Sequence, residues 1–116
     1  MEIWVDFDGV TKKFTTHPQN AEVKVGTPVL WRFRSNNLSN VARVRWIVSF
    51  KNGSPFGDQG SRFTTASRVS DAQHTGATGS NTADTEGDYK YEVRAEDASK
   101  KGETLGEEDP KLKVIA

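Results

Sequence analysis

The 116-residue chain contains no cysteine. Disulfides, thiolate metal sites, iron–sulfur clusters and cysteine nucleophiles are therefore excluded, while the redox compartment stays open. It has two histidines, His17 and His74, so a histidine metal site has little to draw on. Hydrophobic residues make up 34%, well below the globular average of about 45–50%. No apolar stretch approaches the roughly 18 residues of a membrane-spanning helix. A basic start followed by an apolar run is also missing, so no signal peptide is read here and the compartment is left undetermined. Gly-x-Ser-x-Gly, Walker A and His-Glu-x-x-His patterns are absent, which argues against an enzyme.

What apolar content there is lies unevenly. Of thirty large apolar residues, twenty fall in 1–50, three in 51–88 and seven in 89–116. Residues 70–88 contain none and read as a long flexible polar loop. Charge is uneven too. The net charge of zero combines ten basic and five acidic residues in 1–70 with six basic and eleven acidic residues in 71–116.

Period-two alternation dominates the remainder. Ile3, Val5 and Phe7 alternate with Glu2, Trp4 and Asp6, and Asp8-Gly9 then signals a tight hairpin answered by a strand around Phe14. Glu22–Val25 forms a short strand closed by Gly26 and Pro28. Val29, Trp31 and Phe33 alternate with Leu30, Arg32 and Arg34, and Val44, Trp46, Val48 and Phe50 with Arg43, Arg45, Ile47 and Ser49. A weaker strand surrounds Phe63, another carries Tyr89, Tyr91 and Val93, a charged loop follows over 97–109, and Lys111–Ile115 closes the chain. The pattern predicts an all-β fold, one Greek-key β-sandwich domain of seven to eight strands over 1–116, cored by Trp31, Phe33, Trp46, Val48, Tyr91 and Val93.

Three segments resemble the cupredoxin family. They are Phe14-x-x-x-Pro18 leading to Val23-x-Val25-Gly26-x-x-Val29-x-Trp31, then Ser39-Asn40-Val41, then Gly87-x-Tyr89-x-Tyr91-x-Val93. The resemblance covers most of the chain from Phe14 onward and implies a cupredoxin-like sandwich. Gly-x-Tyr-x-Tyr is also found in immunoglobulin-like and polycystic-kidney-disease-like sandwiches, opposite a buried Trp such as Trp46, and that alternative stays open. Copper-binding members carry His where Ser39 stands, Cys where Val93 stands and a second His near Glu96. A type 1 copper centre needs two His and a Cys thiolate. The resemblance therefore implies a scaffold without the copper site, and no cofactor is expected.

The remaining candidates are modest. Arg32, Arg34, Arg43 and Arg45 share the parity opposite the core, and direct pairing of their two strands would gather them on one solvent face as an anion-, polyanion- or saccharide-binding surface. Trp4, also outward by parity, would add an aromatic contact. The competing reading pairs these arginines with Glu22, Glu92 or Glu96 of neighbouring strands. Zero net charge speaks against a nucleic-acid partner. The partner is left undetermined, with a protein or an anionic ligand as the candidates and no membrane span. His17 and His74 read as solvated loop residues. Asp6-x-Asp8-Gly9 reads as a turn rather than a calcium loop, which would need further ligands. The acidic group Asp97, Glu103, Glu107, Glu108 and Asp109 reads as a solvated loop, because Lys100, Lys101 and Lys111 are interleaved. The sequence thus points to a non-catalytic binding or structural module.

Overall fold

The structure is a computed structural model describing residues 1–69, 71, 73–100 and 103–116. Its strands are β1 (Glu2–Asp8), β2 (Lys13–His17), β3 (Asn20–Lys24), β4 (Pro28–Asn36), β5 (Val44–Ser49), β6 (Arg62–Ala66), β7 (Thr75–Ala77), β8 (Asn81–Thr82), β9 (Gly87–Lys90), β10 (Glu92–Asp97), β11 (Glu103–Glu108) and β12 (Lys111–Ile115). A 3-10 turn, Gly57–Gln59, lies between β5 and β6. One sheet runs β2-β1-β4-β7, with β8 also on β4; a second runs β11-β10-β5-β6; a third runs β3-β12-β9. Two pairings are parallel, β1 with β4 and β3 with β12.

The alternating residues do what period two requires. In β1, Ile3, Val5 and Phe7 are buried while Glu2 and Trp4 are exposed. In β4, Val29, Trp31 and Phe33 are buried and Arg32 and Arg34 exposed. The first two sheets meet face to face: the rings of Phe33 (β4) and Trp46 (β5) stack at 5.4 Å. The Trp46 indole N–H donates to Ser35 Oγ at 3.0 Å, and that of Trp31 donates to Tyr91 Oη at 3.3 Å. Both indoles are 0% exposed, so these hydrogen bonds remove donors that would otherwise be buried unpaired. Leu112, Val114, Ala21 and Val23 of the third sheet join the same core.

The structure departs from the sequence reading at several turns and strands. The turn after β1 is not a two-residue hairpin. Residues 9–12 form it, with Lys12 at φ 61° donating its N–H to Asp8 O at 2.8 Å, and Asp8 Oδ1 accepting from Val10 N–H at 2.8 Å. The polar segment 70–88 holds two short strands, β7 and β8, and opens β9, with Thr78 and Ala83 buried; Ser70 and Ala72 lie outside the described residues. Gly76 replaces the missing apolar side chain by letting backbone pass close to Trp46: a Cβ there would lie 2.6 Å from Cζ3 of the indole. The charged run 97–109 holds β11, which pairs with β10 along Val93–Asp97. Finally, the Tyr89–Val93 run is two strands, since β9 pairs with β12 whereas β10 pairs with β5. Tyr91, 1% exposed, sits at the change of sheet.

Candidate binding face

The solvent side of the β2-β1-β4-β7 sheet carries the most exposed aromatic residue of the chain. Trp4 on β1 is 51% exposed, whereas Trp31 and Trp46 are fully buried. The register aligns His17, Trp4, Arg32 and Ala77 in a row across the four strands. Thr15, Asp6, Arg34 and Thr75 form the next row. The Arg32 guanidinium carbon stands 5.5 Å from the Trp4 ring centroid, a cation–π distance. Its Nε donates to Glu2 Oε1 at 3.0 Å, and Arg34 Nε donates to Asp6 Oδ1 at 3.0 Å. Each arginine is thus paired through its Nε with a carboxylate of β1. A shallow groove of about 350 Å³ lies along this face between Trp4 and Asp6 on one side and Gln73 and Thr75 on the other.

The four arginines do not form one cluster. Strands β4 and β5 follow one another in sequence but lie in different sheets. The 37–43 connection carries the chain across the sandwich instead of folding it into a hairpin, with Asn37 and Asn40 at positive φ. Arg32 and Arg34 therefore face outward from the first sheet. Arg45 belongs to the second, pairing with Glu96 at 3.6 Å, while Arg43 Nε donates to Ser67 O at 2.8 Å. The parity expectation stands for both strands; the expected direct pairing of the strands does not.

The second sheet has its own charged face, where Arg45 pairs with Glu96 as the competing reading had it, and at its centre stands Arg94, which sequence reasoning missed. Arg94 on β10 contacts Glu92 at 3.2 Å, Glu96 at 3.8 Å and Glu107 of β11 at 3.3 Å. Lys51 contacts Glu92 at 3.1 Å. The register places Arg94 opposite Ile47, an outward apolar residue that is nonetheless buried. The alternation Glu92-x-Arg94-x-Glu96 was the available signal. The network is a balanced structural one.

His17 is exposed, as expected, but lies in a strand, whereas His74 is buried and not solvated. His17 ends β2 beside Trp4. His74 is 7% exposed, at φ 48°, with Nδ1 3.4 Å from Ser67 Oγ. In the acidic group, Glu103, Glu107 and Glu108 belong to β11, and Glu108 accepts a hydrogen bond from Thr16 of β2 at 2.9 Å, tying the edges of two sheets. The carboxyls of Asp8, Asp71 and Asp97 lie below the usual range. The main causes are the Val10 N–H for Asp8, the Thr75 hydroxyl for Asp71 and the Ser99 hydroxyl for Asp97. Among the described residues, no three His, Asp or Glu side chains come together as a metal-holding group.

The positions that the cupredoxin resemblance assigns to copper ligands do not fit the metal. Ser39 offers an exposed hydroxyl, Val93 an apolar side chain buried in β10, and Glu96 a carboxylate already held by Arg45 and Arg94. Such a set lacks both the imidazoles and the thiolate of a blue copper site.

No family model matches the chain, and no curated protein matches it. Among solved structures, auracyanin B is similar over 100% of this chain and 88% of its own, at 12% identity and a TM-score of 0.50. Auracyanin A, described as a blue copper protein from the green thermophilic photosynthetic bacterium Chloroflexus aurantiacus, matches over 98% of this chain and 99% of its own, at 16% identity and a TM-score of 0.47. At such identities the likeness concerns the backbone alone: the chain is an all-β sandwich of cupredoxin-like fold.

Proposed function

We propose that the chain is a non-catalytic binding module that lays a neutral saccharide on the Trp4 face. The observation that carries this reading is the exposed indole with Arg32 against its ring and Arg34 one row on, each arginine ion-paired to a carboxylate of β1. The C–H face of a pyranose packs against an aromatic ring, and its hydroxyls each donate and accept one hydrogen bond or more. A guanidinium beside a carboxylate presents donor next to acceptor, which matches neighbouring hydroxyls. An anion gains less there, because Glu2 and Asp6 oppose it at every arginine. This turns the arginine face away from polyanions and toward uncharged sugars.

The test exploits Trp4 as the exposed indole among three tryptophans. Neutral oligosaccharides are titrated while acrylamide quenching of tryptophan fluorescence is followed. Binding protects the quenchable fraction, Trp4→Ala removes both that fraction and the binding, and Arg34→Met weakens binding about tenfold through lost charge-assisted hydrogen bonds. Binding that survives Trp4→Ala, or no binding across a panel of neutral glycans, overturns the reading.

A further inference from the structure

The third sheet, β3-β12-β9, brings two lysines into direct opposition. The β9–β12 register pairs Lys90 with Lys111. The neighbouring Tyr91 N–H donates to Pro110 O at 3.1 Å, so the Lys90–Lys111 pair occupies the non-hydrogen-bonded site of the ladder, where opposed side chains stand closest. Like charges at such a site destabilise a sheet. Compensation from the protein is slight. Lys90 Nζ reaches Asp109 only at 4.0 Å with both groups well exposed, and Lys111 is in no ion pair among the described residues. Lys113, one row on, has Glu22 and Asp88 as its register neighbours, and Lys113 and Asp88 line the same cleft, whereas the Lys90–Lys111 row has no acidic register neighbour. On the far side of Lys111 the register places Asn20, whose side-chain amide supplies further donors. All three residues line a cleft of about 520 Å³ that runs across the sheet, with Tyr89 at its wall.

We infer that this cleft is a binding site for a tetrahedral oxyanion, a phosphate or sulfate group held between Lys90 and Lys111 with Asn20 as a neutral donor. Such a group turns the like-charge pair from a cost into two charge-assisted hydrogen bonds. The site is independent of the Trp4 face, which lies on a different sheet and carries balanced charge.

Amide chemical shifts of the full chain are followed during titration with inorganic phosphate, with an alkyl phosphate monoester, and with chloride at equal ionic strength. Saturating shifts at Asn20, Lys90 and Lys111 are expected with both phosphates and none with chloride. Tighter binding of the monoester assigns the group to a larger ligand; equal binding assigns it to the free ion. Lys111→Thr places a good strand former at the site, weakens binding about tenfold, and melts in chloride at or above the temperature of the parent chain because the repulsion is gone. Lys13→Thr, on the first sheet, leaves phosphate binding unchanged. Shifts that grow linearly, that chloride reproduces, or that Lys111→Thr leaves intact overturn the proposal and leave nonspecific screening of surface lysines as the explanation.

Discussion

Tyr91 shows how much one buried polar atom governs. Its phenol is pushed up to about 12 by burial, an effect partly offset by the Trp31 N–H that it accepts. A raised pKa means that the neutral form belongs to the folded state. The associated stability is fully present below pH 10 and is lost as pH rises from 10 toward 12. Tyr91→Phe removes this alkaline dependence and strands the Trp31 N–H in the core, which costs about 1–3 kcal/mol at neutral pH. Urea unfolding of parent and variant at pH 7 and at pH 10.5 measures both effects, and the gap between them narrows at the higher pH. Tyr91 was legible as a core residue from its parity with Tyr89 and Val93. Its partner was not, since Trp31 lies sixty residues earlier and no local pattern joins them. The same limit applied to Trp4. Parity set it outward with Glu2 and Asp6, yet only the parallel register of β1 on β4 reveals that those carboxylates cancel Arg32 and Arg34.

Among the elements, β10 carries an apolar inner face and a charged outer one. Inward it gives Val93 and Ala95 to the core; outward it gives Arg94 to three carboxylates. Arg94→Met keeps an unbranched cover over Ile47 but leaves Glu107 without its partner, and Glu92 and Glu96 with only Lys51 and Arg45. The expected loss is about 1–2 kcal/mol in dilute buffer, more than an isolated surface pair gives because several charges are coupled. Repulsion among the remaining carboxylates is screened by salt, so thermal melts in 1 M NaCl, where the Debye length is about 3 Å, show a smaller gap between variant and parent. Strands rich in large apolar residues, such as β1, β4 and β5, announced themselves by alternation. Those built of small or charged residues, β7 and β11, did not. Thr75-Gly76-Ala77 and Glu103–Glu108 become strands because β4 and β10 offer them open edges, a tertiary cause that composition conceals.

For the molecule as a whole, the distance between layers is set where Gly76 of one sheet meets Trp46 of the other. Gly76→Ala drives a methyl into the indole, and the layers must part or the ring must turn. Overpacking of this kind costs about 1–3 kcal/mol. The loss is read from chemical denaturation, and altered near-ultraviolet circular dichroism reports the disturbed Trp46. The sandwich class followed from the sequence because every amphipathic strand needs a facing layer. The crossing of the chain between β4 and β5 did not, and that crossing divided the arginines. The change of sheet at Tyr91 has a mechanical side. Lys90 and Glu92 are two positions apart, yet one is laced to β12 and the other to β5. Sliding the second sheet past the third would have to stretch covalent backbone at a residue clamped in the core. The two sheets therefore resist shear as one stiff plate, and a pull on either is borne by both.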